Sequence, residues 1–68
     1  MDNDVKVYLN AVRANANMSQ EEWAAELSVG KQTVLNWEKG NSKPDFETVK
    51  KMSELSGIPL QNICISRD

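Results

Sequence analysis

The chain has 68 residues, 40% apolar and 26% charged, with 3 Gly and 2 Pro, which excludes a disordered or fibrous protein and allows one domain with one small core. The single cysteine, Cys64, excludes an intrachain disulfide and suits a reducing cytoplasm, and the absence of histidine excludes the usual zinc constellations. The first 20 residues carry acids and no apolar run, so no secretory signal is expected, and no stretch approaches the roughly 18 apolar residues of a membrane span.

In chain order, Val5, Leu9, Val12 and Ala16 keep one face apolar at helical spacing, which predicts a first helix over residues 4–15. In "MSQEEWAAEL", Ser19 and Glu22 have the spacing of a capping box, and Met18 and Trp23 that of a hydrophobic staple. A second helix therefore starts at Ser19, turns Trp23, Ala24 and Leu27 inward, and stops at "SVG". A connection of three or four residues follows. Gly30 is an acceptable N-cap and Gly40 sits where a left-handed C-cap belongs, giving a third helix Lys31–Lys39. Asp45 caps a fourth helix with Phe46, Val49, Met52 and Leu55 on its inner side, ending by Gly57. Pro59 at a first helical position predicts a short fifth helix over residues 59–63. The core is expected to span about residues 5–63, with 64–68 a tail or a short edge strand. Five short helices make an all-α domain.

A formal net charge of −2 looks unfavourable for a nucleic-acid partner, but it averages over segments. Residues 19–28 carry −3, whereas residues 29–44 carry +2 through Lys31, Lys39 and Lys43 against Glu38. On the wheel of the third helix, Val34 and Trp37 face in and Gln32, Asn36 and Lys39 face out. An amide on an exposed helix is ordinarily just solvated. Here it follows a helix and a tight turn, the helix-turn-helix arrangement, and a carboxamide can meet the adjacent acceptor and donor of adenine in the major groove. Glu38 falls at the edge of the buried face beside Trp37, where a carboxylate needs a cation. Arg13, one turn beyond Leu9, is the candidate, and its planar fork suits a carboxylate.

The stretch "SQEEWAAELSVGKQTVLNWEKGNSKPDFETVKKM" resembles the Cro/cI-type helix-turn-helix family of phage repressors and bacterial regulators, the lambda-repressor-like fold, and the likeness extends over about residues 5–63. Its specific elements are S-Q-x-E-x-A-x-x-L, the apolar-x-W-E-x-G close of the third helix, and the following x-x-P. The resemblance implies that Lys31, Gln32, Thr33 and Asn36 face bases, that Gln20, Lys39 and Lys43 contact phosphates, and that Arg13 and Glu38 form a structural ion pair. Two positions depart from the family pattern. Ser28 stands where the turn usually has glycine, which would put a serine at positive φ, and Leu55 and Ser56 are exchanged relative to the usual order.

These features point to a sequence-specific DNA-binding regulator, a repressor or Cro-like protein that binds a near-palindromic operator as a homodimer in the cytoplasm. With no effector domain after the DNA module, regulation would come from operator occupancy, competition or a separate partner protein. Leu60, Ile63 and Ile65 are the expected dimer surface. No cofactor and no metal are expected. A protein-binding module, an antitoxin or adaptor, is the alternative, favoured by the acidic second helix and disfavoured by the lack of aromatic anchors on the amide face. An enzyme is not expected, because histidine, paired carboxylates and a phosphate-cradling glycine loop are all missing and Cys64 has no base beside it.

Overall fold

The computed structural model of the chain describes residues 5–65. In order these form strand β1 (Val7–Tyr8), helices α1 (Leu9–Asn15), α2 (Gln20–Glu26), α3 (Lys31–Lys39) and α4 (Phe46–Ser56), a single 3-10 turn (Leu60–Asn62) and strand β2 (Ile63–Cys64). The expectation of an all-α, five-helix domain is corrected in two places, both where the ends of the chain meet.

The first helix begins at Leu9 rather than near residue 4, which itself lies outside the described residues. Val7 and Tyr8 instead pair in parallel with Ile63 and Cys64. Val7 is β-branched and gains ladder hydrogen bonds there that a frayed helix start would lack. Val5, expected inward, is 40% exposed, and its carbonyl accepts a 2.8 Å hydrogen bond from the buried Asn62 amide. The fifth helix is reduced to the 3-10 turn. Pro59 caps that turn from outside it, with ψ 139°, and Ile63 is already extended because β2 takes over. So few residues cannot nucleate an α-helix alone, whereas the strand pairing satisfies their backbone directly. Residues 64–68 were expected to be a tail or an edge strand; Cys64 is in β2, and 66–68 lie outside the described residues.

The core is formed by Leu9 and Val12 of α1, Trp23 and Ala24 of α2, Val34 and Trp37 of α3, Met52 of α4, and Leu27 and Ile58 from the connections. Trp23, Val12, Val34 and Met52 are fully buried. On α4 the expected inner side holds for Val49 and Met52 but not for Phe46, which is 65% exposed, and Leu55 packs on the core from a half-buried position. Three-residue steps drift by about 60° each around a helix, so Phe46, two steps before Met52, has left the inner face. At the other end buried Ser56 accepts on its carbonyl from the Asn15 amide and on its hydroxyl from the Ile58 N–H. These bonds turn Ser56 inward and leave Leu55 at the flank of the buried face.

Helix ends are closed by one repeated device. After α1, α2 and α3, a residue in the left-handed region (Asn17, Ser28 and Gly40) gives its N–H to the carbonyl three residues back, and the next N–H reaches the carbonyl five back. This is the Schellman pattern, and Gly57 ends α4 with a related left-handed cap. At the starts, Ser19 and Glu22 exchange both bonds of the capping box, at 3.1 and 2.9 Å. Asp45 accepts from the Thr48 N–H at 2.9 Å, and bonds from the Thr48 side chain and backbone hold its carboxyl below its usual range. That cap acts while the carboxylate is ionised, so its contribution is present above the ordinary Asp range and fades as pH falls through the lowered value.

Ser28, at φ 59°, has the poorest residue for its position among these four. Relief of about 1–2 kcal/mol of left-handed strain, set against roughly 0.4–1 kcal/mol of extra freedom in the unfolded chain, makes Ser28→Gly stabilising by about 0.5–1 kcal/mol. Ser28→Val, β-branched, should destabilise by about 1 kcal/mol or more. Urea midpoints at unchanged m-value measure both; coincident midpoints for the three proteins would rule out strain at this residue.

Candidate nucleic-acid interface

Two helices and the turn between them form the candidate interface. Four residues, Leu27 to Gly30, separate α2 from α3, and the Schellman bond from Val29 N–H to the Ala24 carbonyl (2.9 Å) fixes the angle at which the chain leaves α2. Gly30 then enters α3 in an extended conformation without a side-chain cap. The inner face of α3 is locked by Val34 and Trp37 against α1 and α2, so its other face is held outward.

On that outer face the expected base-facing residues come together. Lys31 and Gln32 are exposed, and Thr33 and Asn36 are half-buried. Gln32 donates from Nε2 to Asn36 Oδ1 at 3.2 Å, so the two carboxamides form a joined pair in the free protein. This bond uses one donor of Gln32 and one acceptor site of Asn36, leaving Gln32 Oε1 and the Asn36 Nδ2 group as an acceptor and a donor for a base edge. Lys39 is exposed in the last turn of α3 and Lys43 in the loop beyond, next to the buried Pro44.

Behind this face lies the ion pair. Arg13 Nε donates to Glu38 Oε2 at 2.7 Å and Nη2 approaches Oε1 at 3.5 Å, with side-chain exposures of 20% and 11%. Arg13 Nη1 also donates to the Met18 carbonyl at 3.0 Å. Gln20, expected at a phosphate, is half-buried and places its Nε2 on Glu38 Oε1 at 3.1 Å. This third member of the cluster was missed in the sequence reading. A signal was present, since Gln20 lies three and four residues before the buried Trp23 and Ala24 and therefore shares their face.

The ion pair also shapes the electrostatics. Glu38 is the only acid in residues 29–44, and its charge is matched internally by Arg13, so the cations Lys31, Lys39 and Lys43 remain as the exposed charges of this stretch. Among the described residues no cluster of acids, histidines and cysteines could hold a metal ion, and no helix is long and apolar enough to cross a membrane. Cys64 is half-buried in β2. Leu60, Ile63 and Ile65, expected at a dimer surface, line one shallow apolar groove together with Pro44, Phe46 and Val49.

A helix-turn-helix family profile of Cro/cI type matches residues 9–63, a stretch that contains α1 to α4 and the 3-10 turn. The chain belongs to this family. The curated relatives that the chain matches carry the names of transcription regulators. The chain is 38% identical over 52 residues to the cryptic phage CTXphi transcriptional repressor RstR of Vibrio cholerae, covering 76% of this chain and 47% of that protein. It is 34% identical over 68 residues to an uncharacterized HTH-type transcriptional regulator of Methanocaldococcus jannaschii, covering 100% of this chain and 97% of that one. The HTH-type transcriptional activator BcrR of Enterococcus faecalis is 27% identical over 55 residues, 81% of this chain but 27% of its own length. The chain thus spans about half of the first relative and about a quarter of the third. No solved structure gives a significant match.

The geometry of the ion pair generates a stability prediction. Arg13→Ala leaves the Glu38 carboxylate with the Gln20 amide and strips the Met18 carbonyl of its donor, and Glu38→Ala leaves a largely buried guanidinium unmatched. Each should cost about 2–3 kcal/mol, below the full value of a buried pair because both ends keep some solvent. The Arg13→Met, Glu38→Met double variant should lose less than the two single methionine variants summed, since no charge is left unpaired. Urea denaturation of the wild type and the five variants decides this, and additive losses in the double variant would contradict it.

Proposed function

We propose that the protein is a sequence-specific DNA-binding regulator, a repressor or Cro-like protein, which acts in the cytoplasm as a homodimer on a near-palindromic operator. The observation that carries this reading is the outer face of α3: an amide pair, Gln32 and Asn36, joined at 3.2 Å on the second helix of a helix-turn-helix and flanked by Lys31 and Lys39. In this reading α3 lies in the major groove, Lys31, Gln32, Thr33 and Asn36 address base edges, and Lys39 and Lys43 address phosphates. Gln20 reaches a phosphate with the second hydrogen of its Nε2, the first being donated to Glu38. The chain is read as one DNA-binding module. Two copies are required because three exposed lysines in residues 29–44 neutralise few phosphates, and a two-fold site doubles them.

The protein-binding alternative draws on the −3 charge of residues 19–28 and on the groove beside α4. It gives the amide pair no role, which is why the DNA reading is preferred.

Enrichment of random duplexes by the purified protein defines the operator, and titrations at several salt concentrations then separate two kinds of contact. Alanine at Gln32 or Asn36 should cost about 1–3 kcal/mol on the operator and little on random DNA. Because each amide orients the other, the double variant should lose less than the sum. Alanine at Lys39 or Lys43 should weaken both kinds of DNA and reduce the salt slope by about one unit each. Equal losses on operator and random DNA for the Gln32 and Asn36 variants would remove base reading and promote the protein-binding alternative.

A further inference from the structure

In α3, Val34 and Trp37 are buried in the core, Glu38 carries the ion pair, and the other residues except Leu35 are polar. Leu35 is half-buried, yet among the described residues it is not one of the partly buried apolar side chains that pack on the core. We propose that Leu35 is a base-reading residue whose side chain seats on the C5-methyl group of a thymine in the major groove. The proposal rests on the DNA reading above and adds to it one residue and the base that residue selects.

The first support is direction. At about 100° per residue, the line opposite the midpoint of Val34 and Trp37 passes between Lys39 and Gln32, with Leu35 and Asn36 about 50° to either side of it. Leu35 is therefore turned outward as much as Asn36 is, and the two are half-buried alike.

The second is charge. Lys31 and Lys39 lie one turn before and one turn after Leu35, about 40° from it around the axis, and both are exposed. Whatever covers the leucine has to accept a cation on each side. A duplex does so with its phosphates, whereas an apolar protein patch would leave both ammonium groups unmatched.

The third is the chemistry of the groove. Base edges there present hydrogen-bond donors and acceptors, and the apolar group among them is the thymine methyl. An isobutyl side chain can bond to no donor or acceptor, so against any other base it would desolvate a polar edge without compensation. Leu35 and Asn36 differ by about 1.5 Å along the axis, less than the roughly 3.4 Å rise of a base pair. With α3 laid along the groove, the thymine falls on the base pair that Asn36 addresses or on the adjoining one.

The test replaces each thymine of the enriched operator by uracil, one position at a time, and measures affinity for the wild type and for folded variants checked by urea midpoints. Wild-type binding should fall about three- to fivefold for uracil at one thymine of a half-site, the fold-change equivalent of one buried methyl group. Leu35→Ala should bind the thymine operator more weakly by at least that factor and should not distinguish thymine from uracil there. Leu35→Met, apolar and of similar size, should keep the uracil penalty, and Gln32→Ala should keep it too despite its own loss of affinity. With cytosine placed at the same position, 5-methylcytosine should restore a similar factor to the wild type and none to Leu35→Ala. Wild-type affinity indifferent to uracil at every thymine, or a penalty that Leu35→Ala retains in full, would overturn the proposal and leave the amide reading in place. A Leu35→Ala protein with wild-type affinity for the operator would overturn it as well and assign the leucine to a protein contact. A chain that enriches no sequence at all would sink the DNA reading, and this inference with it.

Discussion

The carboxylate of Glu38 is the point at which the three helices of the reading unit are tied together. It belongs to α3, takes two contacts from Arg13 of α1 and one from Gln20 at the start of α2, while the same arginine holds the Met18 carbonyl in the turn between α1 and α2. Hydrophobic packing of Trp23, Val34 and Trp37 provides most of the attraction between these helices but is tolerant of small rotations. Directional hydrogen bonds to a largely buried charge are not. A rotation of α3 about its axis that kept Val34 buried would still break the bonds at Glu38, so the cluster fixes which residues α3 turns outward.

That constraint matters because the helices are short. α1 and α2 have 7 residues each, α3 has 9 and α4 has 11, all below the length at which a helix is stable by itself in water. Each depends on its ends and on the core. The recurring Schellman closures serve both needs: they satisfy the last carbonyls and send the chain back toward the core at a defined angle. Position 28 shows how strongly the backbone demands this, since a serine is held at positive φ for the sake of the turn that launches α3.

Local signals in the sequence were legible where the structure is local. The capping box at Ser19 and Glu22, the bounds of α3 between Gly30 and Gly40, and the Asp45 cap each involve residues within one or two turns of one another. The partnership of Arg13 with Glu38, 25 residues apart, was readable for a different reason: a carboxylate beside a buried indole demands a cation, and few were available. What the sequence hid depends on distant pairing without such a demand. Val7 finds Ile63 across the whole chain, and nothing in "VKVYLN" distinguishes a strand from a helix start until that partner is in place. Phe46 follows the apolar three-residue spacing of α4, yet that spacing drifts by about 60° per step, so at the first position of the helix the ring stands outside the face centred on Met52. Gln20 looked like a surface amide because its acceptor lies on another helix.

The same cluster resolves how a chain of net charge −2 can present a surface suited to DNA. At physiological ionic strength charges are felt over about 8 Å, less than half of the shortest principal extent of 19 Å, so the average over the molecule has little meaning at any one face. What counts is the local sum, and in residues 29–44 the only negative group is drawn inward and matched by Arg13. The exposed lysines left behind are too few to hold a duplex by charge alone. In the proposed reading discrimination falls to the neutral amides, whose hydrogen bonds are insensitive to the charge of the rest of the chain. Affinity, in the same reading, falls to the number of copies bound, because a two-fold site doubles the few lysines that meet phosphates.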